Sequence, residues 1–115
     1  MKIKQFMKEN DIAIFVKADL KTRKFEIIHG DTEIESMDLF EQLIQCGSVD
    51  KLQNSVKEQI MPRIWSQGNT KSIVCKPNES CLIALFFDTT MGTRDLYVHS
   101  KYLDSLLPKV IANNT

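Results

Sequence analysis

The amino-acid sequence predicts an α+β fold, in which a five-stranded antiparallel sheet has helices on both faces, in the order αββαβββα. Two runs, 12–16 and 81–87, are apolar at every position, as in strands that are covered on both faces. Apolar residues recur at helical spacing near the start, the middle and the end of the chain. The 115 residues, 43% hydrophobic and 26% charged, therefore predict a single domain over residues 1–115.

The N-terminal segment predicts one short helix followed by a hairpin. In residues 2–9 an apolar side chain recurs every three or four positions, which indicates an amphipathic helix that ends near Asn10. Such a short helix must dock on the rest of the fold to be stable. The apolar run 12–16 predicts the first strand, and 25–28 predicts the second. The polar residues 21–24 between them predict a turn, so the two strands form a hairpin.

The middle of the chain predicts a helical region that begins with an Asp-x-x-Glu capping box at 38–41. Apolar residues continue at steps of about four, so 38–60 is either one long helix or two. In the second reading, which we favour, Gly47 ends the first helix and Ser48 caps the second. Pro62 lacks a backbone donor and would clash with the preceding turn, so the helix stops before it.

The C-terminal half predicts three strands and a closing helix. The strands are 63–65, 70–76 and 81–87, separated by turn-like residues. Leucines and valines at helical spacing then predict a helix over 93–112. A rival interpretation makes 95–99 a sixth strand, but we favour the helix because the residues after the preceding strand are turn-like.

The apolar positions of these elements define the predicted core. It consists of Phe6, Ile12, Ile14, Val16, Ile27, Phe40, Leu52, Val56, Ile60, Leu82, Ala84, Phe86, Leu103 and Leu107.

The three cysteines do not have the spacing of a metal site, and neither histidine lies near one in sequence. If 77–79 forms a three-residue hairpin loop, Cys75 and Cys81 face each other across two strands. The alternatives are a redox pair and two thiols that pack as small apolar residues. We favour the second and leave their redox state open.

Composition and motifs argue against several functions. With 15 basic and 15 acidic residues, the chain has no general attraction to nucleic acid, and its longest apolar run is far too short to insert in a membrane. No export signal, nucleotide-binding loop or catalytic constellation is visible. We therefore expect a cytoplasmic protein that is not an enzyme and that has no catalytic residues, cofactor or metal.

The C-terminal half resembles the roadblock family of dynein light chains and GTPase regulators. The resemblance rests on a basic residue and proline at 76–77, a strand ending in Asp at 82–88, Gly92, and a closing helix through Leu103 and Leu107. The order of elements extends the resemblance over nearly the whole chain, although it also suits profilin-like and longin-like relatives. The resemblance implies a non-enzymatic adaptor that dimerises by joining edge strands and that docks or regulates a small Ras-like GTPase.

The residues themselves indicate where such a dimer would form. Pro62 suits the start of an edge strand, and an uncovered edge carrying Ile64 and Trp65 would be an aggregation hazard. Pairing with a second copy removes the hazard, whereas the competing interpretation has Trp65 simply covering the end of the core. The predicted interface combines this strand with the adjoining helix 49–60. Its residues are Val49, Leu52, Val56, Arg63, Ile64 and Trp65.

Two other functions remain open from the sequence. A sensor domain of the PAS or profilin type would bind a small molecule between the sheet and a helix. An immunity-type protein would use its surface to mask a toxin. The favoured function is a homodimeric adaptor whose partner is a small GTPase or another protein.

Overall fold

Five antiparallel strands form one sheet with helices on both faces in the computed structural model, which describes residues 2–112. The strands are β1 (Ile14–Asp19), β2 (Lys24–His29), β3 (Arg63–Gln67), β4 (Thr70–Asn78) and β5 (Cys81–Asp88). The helices are α1 (Ile3–Glu9), α2 (Asp38–Phe40, continued by a π-helical turn over Glu41–Gln45), α3 (Val49–Val56) and α4 (Thr93–Ala112). The predicted fold class is confirmed.

The strand order is β2-β1-β5-β4-β3, so the apolar strand β5 lies at the centre and the other apolar strand, β1, is its neighbour. Alternate residues of β5 face opposite helical layers. Phe86 points towards α2, where its ring centroid is 5.4 Å from that of Phe40. Leu85 and Ile83 belong to the layer under α1 and α4. Burial on both faces explains why these strands lack the apolar and polar alternation of a half-exposed strand.

Two residues of the predicted core are exposed, and that part of the prediction is wrong. Ile27 is 40% exposed because β2 is an edge strand, one strand further from the centre than its buried partner Val16. Ile60 is 85% exposed because α3 ends at Val56, so the spacing of four no longer brings it to the sheet. The other predicted core residues are buried.

The helical region breaks at Gly47, as favoured from the sequence. A side chain at this position would put its Cβ 2.5 Å from the carbonyl oxygen of Leu43, so only glycine allows this close approach. Ser48 then caps α3, because its hydroxyl accepts a hydrogen bond of 3.1 Å from the amide of Lys51. Two helices therefore occupy the predicted range.

The predicted limits of this region are less accurate. Asp38 is the first helical residue and not the cap, so the predicted capping box is wrong; its amide donates to the hydroxyl of Ser36 at 3.3 Å. The second helix ends at Val56, since Lys57 is already extended. Residues 57–61 thus form a connection to β3 that the periodicity did not indicate.

The β4–β5 hairpin turns through two residues, Glu79 and Ser80, and not through the three predicted. Cys75 pairs with Ile83, whereas Cys81 pairs with Asn78, and the register is irregular between Cys75 and Asn78. The irregularity shifts the pairing along the strand. The predicted direct pairing of Cys75 with Cys81 is therefore wrong.

The terminal helices agree with the sequence. Helix α1 ends at Glu9 and is capped by Asn10, whose side-chain amide donates to the carbonyl of Phe6 at 2.9 Å. Helix α4 runs without interruption through 95–99, so the rival strand is absent, and Pro108 lies inside it. Both helices pack on the same face of the sheet.

The loop between β2 and α2 is attached to the end of the central strand. The Asp88 carboxylate accepts hydrogen bonds from the Glu35 amide at 2.8 Å and the Thr70 hydroxyl at 2.6 Å. The Thr70 oxygen in turn accepts from the Ser36 amide at 3.1 Å. This network fixes where the chain enters α2.

We expect Phe86→Ala to lower the free energy of unfolding by roughly 3–5 kcal/mol, because it leaves a cavity beside Phe40. Ile60→Ala is the matched control and should change stability by no more than about 0.5 kcal/mol, since the side chain is exposed. Urea denaturation followed by circular dichroism measures both. Equal losses for the two variants would show that the central position of β5 is wrong.

Candidate protein-interaction site

Strand β3 lies at one end of the sheet and pairs only with β4 among the described strands. Its register places Ile64 opposite Ile73 and Trp65 opposite Ser72. On its other side, alternate backbone N–H and C=O groups point away from the sheet, as at any edge strand. This edge can pair with another strand.

The side chains of β3 are held in place by neighbouring contacts. Trp65 is half-buried against the layer under α2 and α3, and Ile64 packs on the opposite layer. The Arg63 guanidinium lies 5.4 Å from the centre of the Trp65 ring, and its Nη1 donates to Gln59 Oε1 at 2.9 Å. The strand therefore presents an ordered aromatic and cationic surface next to its open edge.

The helical residues of the predicted interface lie elsewhere. Val49, Leu52 and Val56 are buried beneath α3, in the core of their own chain. The outward surface of α3 instead carries polar side chains, including Asp50 and Lys51. Arg63, Ile64 and Trp65 are brought together at the β3 edge, and the other three predicted residues support the sheet from inside.

Ile60 belongs to this surface although the sequence analysis assigned it to the core. It is the most exposed large apolar side chain in residues 2–112 and lies just before β3. Residues 57–59 are good helix formers, so the proline at position 62 was the available signal that the helix must end before it. An exposed apolar side chain therefore precedes β3 by three positions in the chain.

The opposite edge of the sheet, β2, has a different surface. Lys24 and Glu26 are exposed there, and charged residues of this kind discourage pairing with another strand. The Lys4 ammonium also donates to the carbonyl of His29, which ties α1 to the end of β2. The two edges therefore differ: β2 has two exposed charged side chains of this kind and a tie to α1, whereas β3 has one, Arg63.

The rest of the described surface has hollows but no metal-binding group. Within residues 2–112 no group of three His, Cys, Asp or Glu side chains is placed to hold a metal ion, and none of the helices is long and apolar enough to cross a membrane. A surface hollow of about 500 Å³ lies where α3 meets the sheet, between Val56 and Leu82. Another, of about 450 Å³, lies between α1 and the loop at 30–32.

The two cysteines of the β4–β5 hairpin are free and buried, whereas Cys46 is exposed. Burial raises the pKa of the Cys75 thiol, and the neighbouring Asp104 carboxylate raises it further. Burial also raises the pKa of Cys81. Both thiols stay protonated near neutral pH, which makes them poor nucleophiles.

Comparison with known proteins identifies the fold. No protein-family model and no curated protein sequence matches this chain. Among solved structures, the chain is similar to MglB from Myxococcus xanthus, with a TM-score of 0.54 and 12% sequence identity. The similarity covers 96% of this chain and 91% of that chain. The fold is therefore roadblock-like, as the sequence resemblance implied, while so low an identity shows the fold alone.

We expect one thiol to react rapidly with Ellman's reagent in the folded protein, and all three to react after unfolding in urea. Cys46→Ser should remove the rapid reaction, because the other two thiols are buried and protonated. Rapid modification of Cys75 or Cys81 in the folded protein would contradict the burial of the hairpin.

Proposed function

We propose that this chain is a cytoplasmic, non-enzymatic adaptor that forms a homodimer through β3 and docks a small Ras-like GTPase. The observation that carries the proposal is the open β3 edge, with Ile64 and Trp65 in the strand and the exposed Ile60 beside it. An edge of this kind is an aggregation hazard unless another strand covers it.

A second copy of the chain suits this edge. A two-fold axis would pair β3 with its own copy in antiparallel fashion, and the same residues would then contact each other from both sides. Trp65 has the large apolar area and the polar N–H that are typical of interface anchors. Because Arg63 and Gln59 already hold the ring region in place, little side-chain freedom is lost on association.

The roadblock-like fold supports a small Ras-like GTPase as the partner. The sequence resemblance implies that dimers of this family serve as platforms for small Ras-like GTPases, and a two-fold dimer presents every surface twice. The two hairpin thiols are buried and have a raised pKa, so neither is suited to act as a catalytic nucleophile.

We expect the wild type to sediment as a dimer at tens of micromolar concentration. Ile60→Lys should weaken the dimer roughly tenfold, because it replaces an exposed apolar contact at the β3 edge with a charge. Ile27→Lys makes the same change on the β2 edge and should leave the dimer unaffected. A monomeric wild type, or an equal effect of both variants, would contradict edge pairing at β3.

Proline variants test the backbone contact separately. Successive amides of a strand point to opposite sides, so only one of Ile64→Pro and Trp65→Pro removes a donor from the open edge. We expect that variant to remain folded by circular dichroism and to be monomeric. A folded, fully dimeric protein in both cases would exclude main-chain pairing along β3.

Affinity purification of the tagged chain from its native cells tests the partner. We expect a Ras-like GTPase to copurify, and the purified pair should bind each other directly in a titration. Copurification of a toxin that the chain inhibits would favour the immunity-type alternative. A small molecule retained by the purified chain, detected by mass spectrometry, would favour the sensor alternative.

A further inference from the structure

The outward face of α4 is a second exposed surface with its own chemical character. Tyr97, Val98 and Tyr102 are 52%, 60% and 53% exposed, which is unusual for three large side chains within two turns. Arg94 and Lys101 are exposed on the same side of the helix, one turn away from Val98 in either direction. Lys109 continues this face towards the C-terminal end of the helix. We call these six residues the α4 face.

Charge on the α4 face has one sign although the whole chain is electrically balanced. Its three charged residues are all basic. The helical repeat puts the two carboxylates of α4, Asp95 and Asp104, on either side of this face. Asp104 also neighbours Cys75 and raises the pKa of its thiol. The basic side chains therefore lie along the middle of the outward surface of α4, next to the apolar and aromatic ones, with one carboxylate at each border.

The aromatic side chains of this face are held by their neighbours. The Lys101 ammonium lies 5.5 Å from the centre of the Tyr97 ring and 3.4 Å from the Met61 carbonyl oxygen. The Tyr102 ring stacks on His99, with centroids 6.3 Å apart, and His99 contacts the ring of Phe87. Side chains that are already ordered lose little freedom when a partner binds.

We propose that the α4 face binds an acidic protein surface with an apolar residue at its centre. The apolar residue would lie on Val98 between the two tyrosines, and carboxylates around it would pair with Arg94, Lys101 and Lys109. Tyrosine and arginine are enriched in protein interfaces, and complementary charge selects and orients the partner. A protein partner fits better than a lipid surface, because the exposed apolar side chains cover fewer than two turns and do not form a continuous membrane-facing stripe.

This site does not depend on the proposed dimer. Helix α4 covers the opposite side of the sheet from α3, so its outward face is not part of the backbone edge that β3 would use for pairing. The Lys101 ammonium contacts the Met61 carbonyl in the segment before β3, and the test therefore leaves Lys101 unchanged. Sedimentation of the variants below, beside the wild type, keeps the two proposals separate.

The test is a selection from a random-peptide display library on the immobilised full-length chain. We expect enrichment of peptides in which acidic residues flank an apolar one. The double variant Arg94→Glu/Lys109→Glu should weaken binding of a selected peptide by roughly tenfold or more, measured by fluorescence anisotropy. The control Lys24→Glu/Lys51→Glu changes the net charge equally, at exposed positions on β2 and α3, and should leave the affinity unchanged.

A third variant, Val98→Ser, tests the apolar centre without a change of charge. We expect it to weaken the peptide several-fold while the protein remains folded, since Val98 is exposed. Enrichment of basic or uncharged peptides, no enrichment, or equal effects of the two charge variants would overturn the proposal. Binding to phosphatidylserine vesicles that the Arg94→Glu/Lys109→Glu variant loses, without any acidic peptide, would assign the face to a lipid surface and also overturn it.

Discussion

The central strand β5 is apolar on both faces, and the rest of the fold follows from the need to cover both of them. Helices α1 and α4 cover one face, and α2 and α3 cover the other. The loop before α2 must carry the chain from the edge strand β2 to the layer of α2 and α3, and the Asp88 carboxylate at the end of β5 holds that loop through the Glu35 amide. The central strand thus supplies the core and also fixes the path of the chain.

The helices cover the centre of the sheet, so the side chains of the two edge strands determine whether each edge can pair with another strand. β2 carries exposed charges and is tied to α1 by Lys4, whereas β3 carries Ile64 and Trp65. Exposed charges discourage pairing with another strand, whereas apolar side chains at an open edge favour it. Pairing of β3 with a second copy across a two-fold axis, as proposed, would cover the open edge and close the assembly at a dimer.

Patterns that depend on burial over a whole element could be predicted from the sequence. The apolar runs identified β1 and β5, and the break at Gly47 followed from the missing side chain. The end of α3 and the register of the β4–β5 hairpin could not be predicted. Ile60 continued a spacing of four beyond the end of α3, and the irregular register after Cys75 moved the hairpin turn. The α4 face was missed because exposed tyrosines and lysines at helical spacing also occur on ordinary solvated helices.

Hydrogen exchange of the β3 backbone amides at low and high protein concentration tests the proposed edge pairing most directly. Pairing with a second copy predicts that amides of Arg63–Gln67 become more protected as concentration rises, while those of Lys24–His29 on the other edge do not change. Protection of β3 that is independent of concentration, or a concentration effect confined to β2, would contradict the account.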